Sequence, residues 1–295
     1  IPRLTLHMQP VCLRSEFECP LFLPELAWIR RAPRFVKRAV FRLMDLTLWN
    51  FAQRPLNAFR RELGLDPLTA FYDQALHGAS GVAALFPAWY AAPQPDWPPN
   101  LRQFGFPITK RSAPLPDEVE RFLEAGPPPV LWTHGSANFD IRHFQACALS
   151  ASEKLGRRCL LVSLDPPENP LGPGAFHAPH VRFEDLFPRC AAVVHHGGIG
   201  TTAKAVLSGV PQLIIPRSHD QPDNADRIVQ MGIGKTLPYR GLDSPVLAET
   251  VKSLLYSETI AANCRAYRAR MLADDSLPAL CDWAEALARP SARPR

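Results

Sequence analysis

The sequence predicts an α/β protein with doubly wound parallel sheets, and three observations lead to this prediction. From Pro129 onward, short apolar runs alternate with longer amphipathic segments, as in strands connected by helices. The apolar run Val193–Val194 leads through a histidine pair into a Gly-Gly turn that opens a helix, a common phosphate-binding arrangement. The chain also has 295 residues, of which 46% are hydrophobic, enough for a large core and two domains.

The first hundred residues predict helices followed by two strands. Apolar residues recur at helical spacing from Pro33 to Leu63, and Pro55 is expected to divide this stretch into two helices. Buried strands are predicted over Gly81–Phe86 and Asn100–Pro107. The second of these strands is expected to end the first domain.

The predicted domain boundary lies near residue 110. Residues 1–110 form a partial first domain, and residues 111–128 form a proline-rich linker that includes a short helix over Asp117–Glu124. Residues 129–295 form a second domain with closing C-terminal helices. The last of these, around Ala279–Ala288, is expected to fold back toward the first domain.

The second domain is predicted to contain alternating strands and helices. The predicted strands are Val130–Thr133, Cys159–Val162, Ala191–His195, Gln212–Ile215 and Lys235–Leu237. The predicted helices are Ile141–Leu155, Thr201–Ser208, Asn224–Met231, Pro245–Tyr256, Ile260–Ala273 and Ala279–Ala288.

Charge is distributed unevenly along the chain. Residues 1–62 hold eleven Lys and Arg against five acids, while the formal charge of the whole chain is +5. This basic part either attracts a membrane surface or an anionic acceptor, or is a solvated helix face. The seven scattered cysteines are expected to be reduced thiols, and no apolar run reaches transmembrane length, so we expect a cytoplasmic protein, with the inner face of the membrane as a further location.

The Gly-Gly turn is the clearest candidate for a phosphate-binding site. Glycines let backbone amides approach an anion, the helix N-terminus is partially positive, and histidine and threonine add donors. The alternative is a tight strand-to-helix turn with a satisfied histidine. The predicted cradle comprises His196, Gly197, Gly198, Gly200, Thr201 and Thr202. His195 points the other way on its strand and is expected to be structural.

Two further polar segments follow predicted strands of the same sheet. Gly135 and Ser136 come after the first strand of the second domain and are expected to approach the same ligand, although Ser136 also suits a helix N-cap. Asp220 and Gln221 follow a later strand, and their side chains suit hydrogen bonds to sugar hydroxyls. The alternative for this pair is a turn ahead of the next helix.

These motifs, in this order and spacing, resemble the donor-binding signature of nucleotide-sugar glycosyltransferases with the two-domain GT-B fold. That family includes UDP-glycosyltransferases, sterol glucosyltransferases and a bacterial branch of rhamnosyltransferases. The resemblance implies two Rossmann-like domains, the first incomplete here. It further implies that His196 donates to the donor diphosphate and that Asp220 and Gln221 bind its sugar.

The nucleobase site departs from the plant branch of that family, which has a tryptophan that stacks on uracil. Counting back from the Gly-Gly turn places His180 and Val181 at the equivalent loop, where His180 either stacks on a base or is simply exposed. The family's ribose-binding acid falls at Lys204. The choice between UDP and dTDP therefore stays open.

The resemblance implies inverting transfer of a hexose or deoxyhexose from a UDP- or dTDP-sugar to a hydroxyl of a small or lipid acceptor. We expect no cofactor, no metal site and no nucleic-acid partner, since neither an Asp-x-Asp motif nor a His/Cys cluster occurs. The helices between Pro33 and Leu63 are expected to form one side of a hydrophobic acceptor pocket.

The family's catalytic histidine belongs to a region that we expect to precede Ile1, so the chain is interpreted as a fragment that binds donor but turns over poorly. No catalytic residue is assigned, and His7 and His77 do not match the family's context. Two other functions stay open. One is a non-catalytic nucleotide-sugar-binding or partner-regulating module, and the other is an epimerase of the same fold.

Overall fold

The computed structural model describes residues 2–108, 112–135 and 141–289, and these form two compact units. The first unit holds the described residues up to Pro107 together with those from Asp275 onward. The second unit runs from Ile108 to Asp274. The boundary predicted from the sequence lies near residue 110, with everything after residue 129 in the second domain. In the structure the described residues of the last helix belong to the first unit.

The first unit is built on a small parallel sheet. Its strands are β1 (Leu4–His7), β2 (Gly81–Leu85) and β3 (Leu101–Phe104), in the order β1-β2-β3. Between β1 and β2 lie α1 (Arg34–Leu48) and α2 (Arg54–Glu62), which are joined by one π-helical turn. Pro55 lies just after this π-helical turn, and the backbone stays helical on both sides of it, so the expected division into two separate helices is not seen.

The C-terminal helix α10 (Ser276–Ala288) packs on the sheet of the first unit. Trp283 lies 5.6 Å from Phe104 between ring centroids, over the side chains of Ala83 and Leu85. A Cβ at Gly81 would lie 2.8 Å from the Trp283 ring, so glycine permits this close approach.

The second unit contains a six-stranded parallel sheet. Its strands are β4 (Val130–Thr133), β5 (Cys159–Val162), β6 (Ala175–Ala178), β7 (Ala192–His195), β8 (Gln212–Ile214) and β9 (Gly234–Thr236). They are ordered β6-β5-β4-β7-β8-β9, so the direction of winding reverses between β4 and β7. This is the strand order of a Rossmann-type sheet, whose ligands bind where the order reverses.

Helices cover both faces of this sheet. They are α3 (Asp117–Glu124), α4 (Ile141–Lys154), α5 (Phe183–Leu186), α6 (Ile199–Ser208), α7 (Gln221–Gln230), α8 (Ser244–Leu255) and α9 (Glu258–Ala273). Trp132 and Val194 face the core shared with α4 and α8, while Leu131 and Val193 face the core shared with α3 and α6. Because successive strand residues point to opposite faces, a sheet covered on both sides needs uninterrupted apolar strands.

The predicted α/β class with parallel sheets is confirmed. Strands β1 and β6 were not predicted, and α7 begins three residues earlier than expected, at Gln221. No helix in the described part of the chain is long and apolar enough to cross a bilayer. The seven cysteines, all of them described, form no disulfide.

Candidate functional site

The segments that hold Gly135 and His196 follow the carboxyl ends of β4 and β7, the two strands between which the strand order reverses. Thr133 and His195 are register partners at the ends of these strands, so the segments that follow them leave the sheet side by side. Gly135 and His196 are consequently in contact. Ser136 lies outside the described residues.

The His196 ring is enclosed between two glycines. A Cβ at Gly135 would lie 2.5 Å from Cε1 of His196, and a Cβ at Gly198 would lie 2.5 Å from its Nε2. Gly135 also has a φ of +79°, a conformation that side chains rarely adopt. Both positions therefore require glycine if the imidazole is to keep its place.

His196 is an uncharged donor or acceptor at neutral pH. Burial lowers the pKa of its imidazole, against the opposing effect of the Asp220 carboxylate, and His134 lowers it further. The Nδ1 atom of His196 is buried and has no hydrogen-bond partner among the described residues. A buried polar atom without a partner is uncommon, and residues 136–140, which follow Gly135 in the chain, lie outside the described ranges.

The N-terminus of α6 supplies backbone donors beside His196. Gly198 is the N-cap of α6, and the first turn of a helix leaves its amides without intrahelical partners. The Ile199 amide donates to Oδ2 of Asp220 (3.1 Å). The backbone amides of Gly200 and Thr201 have no hydrogen-bond partner in the described part of the chain. A Cβ at Gly200 would enter open space, so this turn is accessible to an anion.

The two threonines have different environments. Thr201 is half-buried in the first turn of α6. Thr202 is fully buried, and its hydroxyl donates to the carbonyl of Gly198 at 3.1 Å. Thr202 thus stabilises the turn from within.

His195 has the structural environment expected for it. The Gly197 amide donates to its Nδ1 (3.1 Å), so its Nε2 carries the proton and donates to Oε1 of Gln212 (2.9 Å). Burial lowers the pKa of His195 to about 3, and His196 adds to this effect. His195 therefore holds the Gly197 turn in place as a neutral imidazole.

Asp220 and Gln221 occupy the start of α7, next to the phosphate cradle. Oδ2 of Asp220 accepts from the Ile199 amide at 3.1 Å and from Nδ2 of Asn224 at 2.8 Å. Oε1 of Gln221 accepts from the amides of Arg217 (2.8 Å) and Ser218 (3.2 Å). Asp220 thus keeps Oδ1 for a ligand, whereas the single side-chain oxygen of Gln221 holds the loop after β8 and leaves only its Nε2 amide.

The loop assigned to the nucleobase follows β6. His180 is exposed, and Val181 is buried in the core under α3 and α6. Lys204 in α6 pairs with Glu184 at 3.2 Å, so the position of the family's ribose-binding acid carries a lysine with an internal partner.

Two further groups at the carboxyl end of the sheet were not assigned from the sequence. Burial lowers the pKa of His134, Arg217 lowers it further, and Asp165 opposes both. The Arg217 guanidinium stacks on the Tyr239 ring, 3.7 Å from its centroid. The sequence could have identified Arg217 by its position, since it is a basic residue between the end of β8 and the pair Asp220 and Gln221. No group of His, Cys, Asp or Glu suited to a metal ion occurs within the described ranges.

Comparison with known proteins agrees with this geometry. Residues 171–286 match the family described as erythromycin biosynthesis protein CIII-like, C-terminal domain. O-mycaminosyltylonolide 6-deoxyallosyltransferase of Streptomyces fradiae is 31% identical over 245 residues, which cover 80% of this chain and 58% of that protein. Glycosyltransferase GtfC of Amycolatopsis orientalis is 33% identical over 248 residues, which cover 82% of this chain and 54% of that protein.

Solved structures with this fold are also glycosyltransferases. The glycotransferase of kitacinnamycin has a TM-score of 0.68 at 19% identity, covering 85% of this chain and 66% of that one. Glycosyltransferase VinC in complex with dTDP has a TM-score of 0.60 at 23% identity, covering 79% of this chain and 58% of that one. The chain belongs to the GT-B glycosyltransferase family. It spans little more than half the length of the two curated relatives.

Proposed function

We propose that this chain carries the donor site of an inverting glycosyltransferase that uses a UDP- or dTDP-sugar. The proposal rests mainly on one observation, the neutral His196 ring enclosed by Gly135 and Gly198 beside the accessible amides of α6. An imidazole donor and a helix N-terminus together suit the negative charge of a diphosphate. The sugar would then extend toward Asp220 and Gln221.

The same groups would favour departure of the diphosphate. Negative charge grows on it as the bond to the anomeric carbon breaks, and donors already in place stabilise that charge without reorganisation. In this proposal the helix N-terminus and His196 act without a metal ion or another cofactor. The acceptor hydroxyl and the base that deprotonates it belong to the whole protein's reaction, and we assign no residue of this chain as that base.

Calorimetric titration with UDP, dTDP, UDP-glucose and dTDP-rhamnose tests the proposal. One diphosphate should bind, and its sugar should increase the affinity. The substitution H196A should weaken binding of diphosphate and sugar nucleotide alike by roughly tenfold or more, the effect of one hydrogen bond to a charged group. D220A should weaken binding of the sugar nucleotide more than that of the diphosphate.

Thermal unfolding of both variants separates a site effect from a folding effect. Affinities unchanged in H196A and in D220A would contradict the site assignment. Donor binding without sugar transfer by the whole protein would instead favour the non-catalytic binding module.

We further propose that the first unit meets a hydrophobic acceptor at a lipid surface. One side of α1 exposes large apolar side chains at helical spacing, among them Phe35 (71% exposed), Leu43 (65%) and Leu46 (66%). Arg42 is exposed within this stripe, and residues 1–62 carry the excess of basic residues. Apolar and basic side chains on one exposed helix face suit anionic lipid headgroups.

Co-sedimentation with phosphatidylcholine vesicles, with and without phosphatidylglycerol, measures this contact. Binding should require the anionic lipid, and L46E should weaken it by about tenfold, the effect of losing one apolar anchor. The matched control is V246E, which changes an exposed apolar side chain of the second unit. Equal binding by the two variants, or binding that ignores phosphatidylglycerol, would refute lipid contact through α1.

A further inference from the structure

We infer that Asn224 is a positioning residue that couples the two halves of the donor site. This inference rests on the proposed function. Asn224 is fully buried near the start of α7. Its Nδ2 donates to the carbonyl of Gly197 at 2.9 Å and to Oδ2 of Asp220 at 2.8 Å. One amide group therefore holds both the phosphate-binding turn and the sugar-binding carboxylate.

The bond to Asp220 determines how that carboxylate faces a ligand. Oδ2 of Asp220 has two internal donors, Asn224 and the Ile199 amide. With Oδ2 anchored at two points the carboxyl group cannot rotate freely, and Oδ1 is the oxygen left for a sugar hydroxyl. A side chain already held in its binding orientation loses little entropy when the ligand arrives.

The bond to Gly197 acts on the phosphate side. Gly197 has a φ of +93°, and a Cβ there would lie 2.6 Å from the Ile214 side chain. Its amide is held by His195 and its carbonyl by Asn224, so both polar groups of the residue are fixed. Gly198 and the first amides of α6 follow directly, and their direction depends on this peptide.

The test is the gain in affinity that the sugar brings, measured as the ratio of the dissociation constants of UDP and UDP-glucose (or of dTDP and dTDP-rhamnose, whichever pair binds). N224L keeps the branching and the number of heavy atoms of the side chain and removes both of its N–H donors. It should reduce this ratio about tenfold, to near one, with a smaller effect on the diphosphate alone. D220A should add little in the N224L background, because the two residues act through one contact.

N224D serves as a second variant should N224L not fold. It keeps the shape of the side chain and places a carboxylate against Asp220. The gain in affinity that the sugar brings should therefore be lost at pH 8. Acidification to about pH 5.5 should restore part of it, because a protonated carboxyl group again donates to Asp220. The native chain, titrated under both conditions, corrects for other groups.

The outcomes separate this inference from the proposed function. An equal loss for diphosphate and sugar nucleotide in N224L, independent effects of N224L and D220A, or no recovery of N224D in acid would show a merely structural role for Asn224. A native chain that binds none of the four nucleotides would refute both the proposed function and this inference.

Discussion

The substitution G135A should abolish most donor binding while leaving the second unit folded. The new Cβ would lie 2.5 Å from Cε1 of His196, and the backbone φ of +79° is strained for alanine. The strain costs about 1–2 kcal/mol of stability. Displacement of His196 removes its hydrogen bond to the diphosphate, so the affinity for the nucleotide should fall by roughly 10- to 100-fold in calorimetric titration.

A double-mutant comparison shows whether Gly135 acts through His196. In an H196A background the methyl group of G135A meets no ring, so the second substitution should add little to the loss. G172A is the matched control, because a Cβ there meets nothing within 4 Å and its φ is ordinary. Full additivity of G135A and H196A would mean that the enclosure of the imidazole is irrelevant to binding.

The strands of the second unit were the most predictable part of the fold. A strand covered by helices on both faces is apolar along its buried length, and Cys159–Val162 and residues 130–132 satisfy this condition in sequence. Strand β6 was missed because three of its four residues are only partly buried at the edge of the sheet. Strand β1 was missed for the same reason, since only His7 within it is buried.

The last helix shows why the domain limits were less predictable. The amphipathic pattern of Ser276–Ala288 indicates a helix with an apolar face, but the pattern does not state which sheet that face meets. The answer depends on a tertiary contact, the packing of Trp283 over Gly81 and Phe104, between residues far apart in sequence.

The site was predictable where backbone geometry governs it. A Gly-Gly turn after an apolar strand indicates a phosphate cradle, and the observed order of strands places that turn beside Gly135. Side-chain partners were not predictable in this way. Neither the use of Gln221 to hold the Arg217 amide nor that of Asn224 to hold Gly197 has a signature in local sequence.

Acid should destabilise the second unit through His195. The pKa of this imidazole is about 3 in the folded chain against 6.5 for an exposed histidine, because burial disfavours the charged form. A proton could be added only at Nδ1, which accepts the Gly197 amide, so protonation would also break that hydrogen bond. Below pH 6.5 His195 therefore binds a proton in the unfolded chain but stays neutral in the folded chain.

The contribution of neutral His195 to the free energy of unfolding is therefore complete above pH 6.5 and is lost as the pH falls toward 3. From these two pKa values, His195 alone lowers the free energy of unfolding by about 2 kcal/mol between pH 8 and pH 5. Urea unfolding at a series of pH values measures the slope. H195N retains an acceptor for the Gly197 amide without a titrating group, so it should be less stable at pH 8 but lose less stability on acidification.

The matched control is H219N, which replaces an exposed histidine whose φ of 62° suits asparagine. It should keep the native dependence on pH, because it leaves His195 and the bond of His195 to the Gly197 amide unchanged. An equal slope for H195N and the native chain would mean that the burial of neutral His195 does not cause the loss of stability in acid. Loss of nucleotide binding in parallel with this acid transition would connect His195 to the donor site, since the Gly197 turn that it holds leads directly into α6.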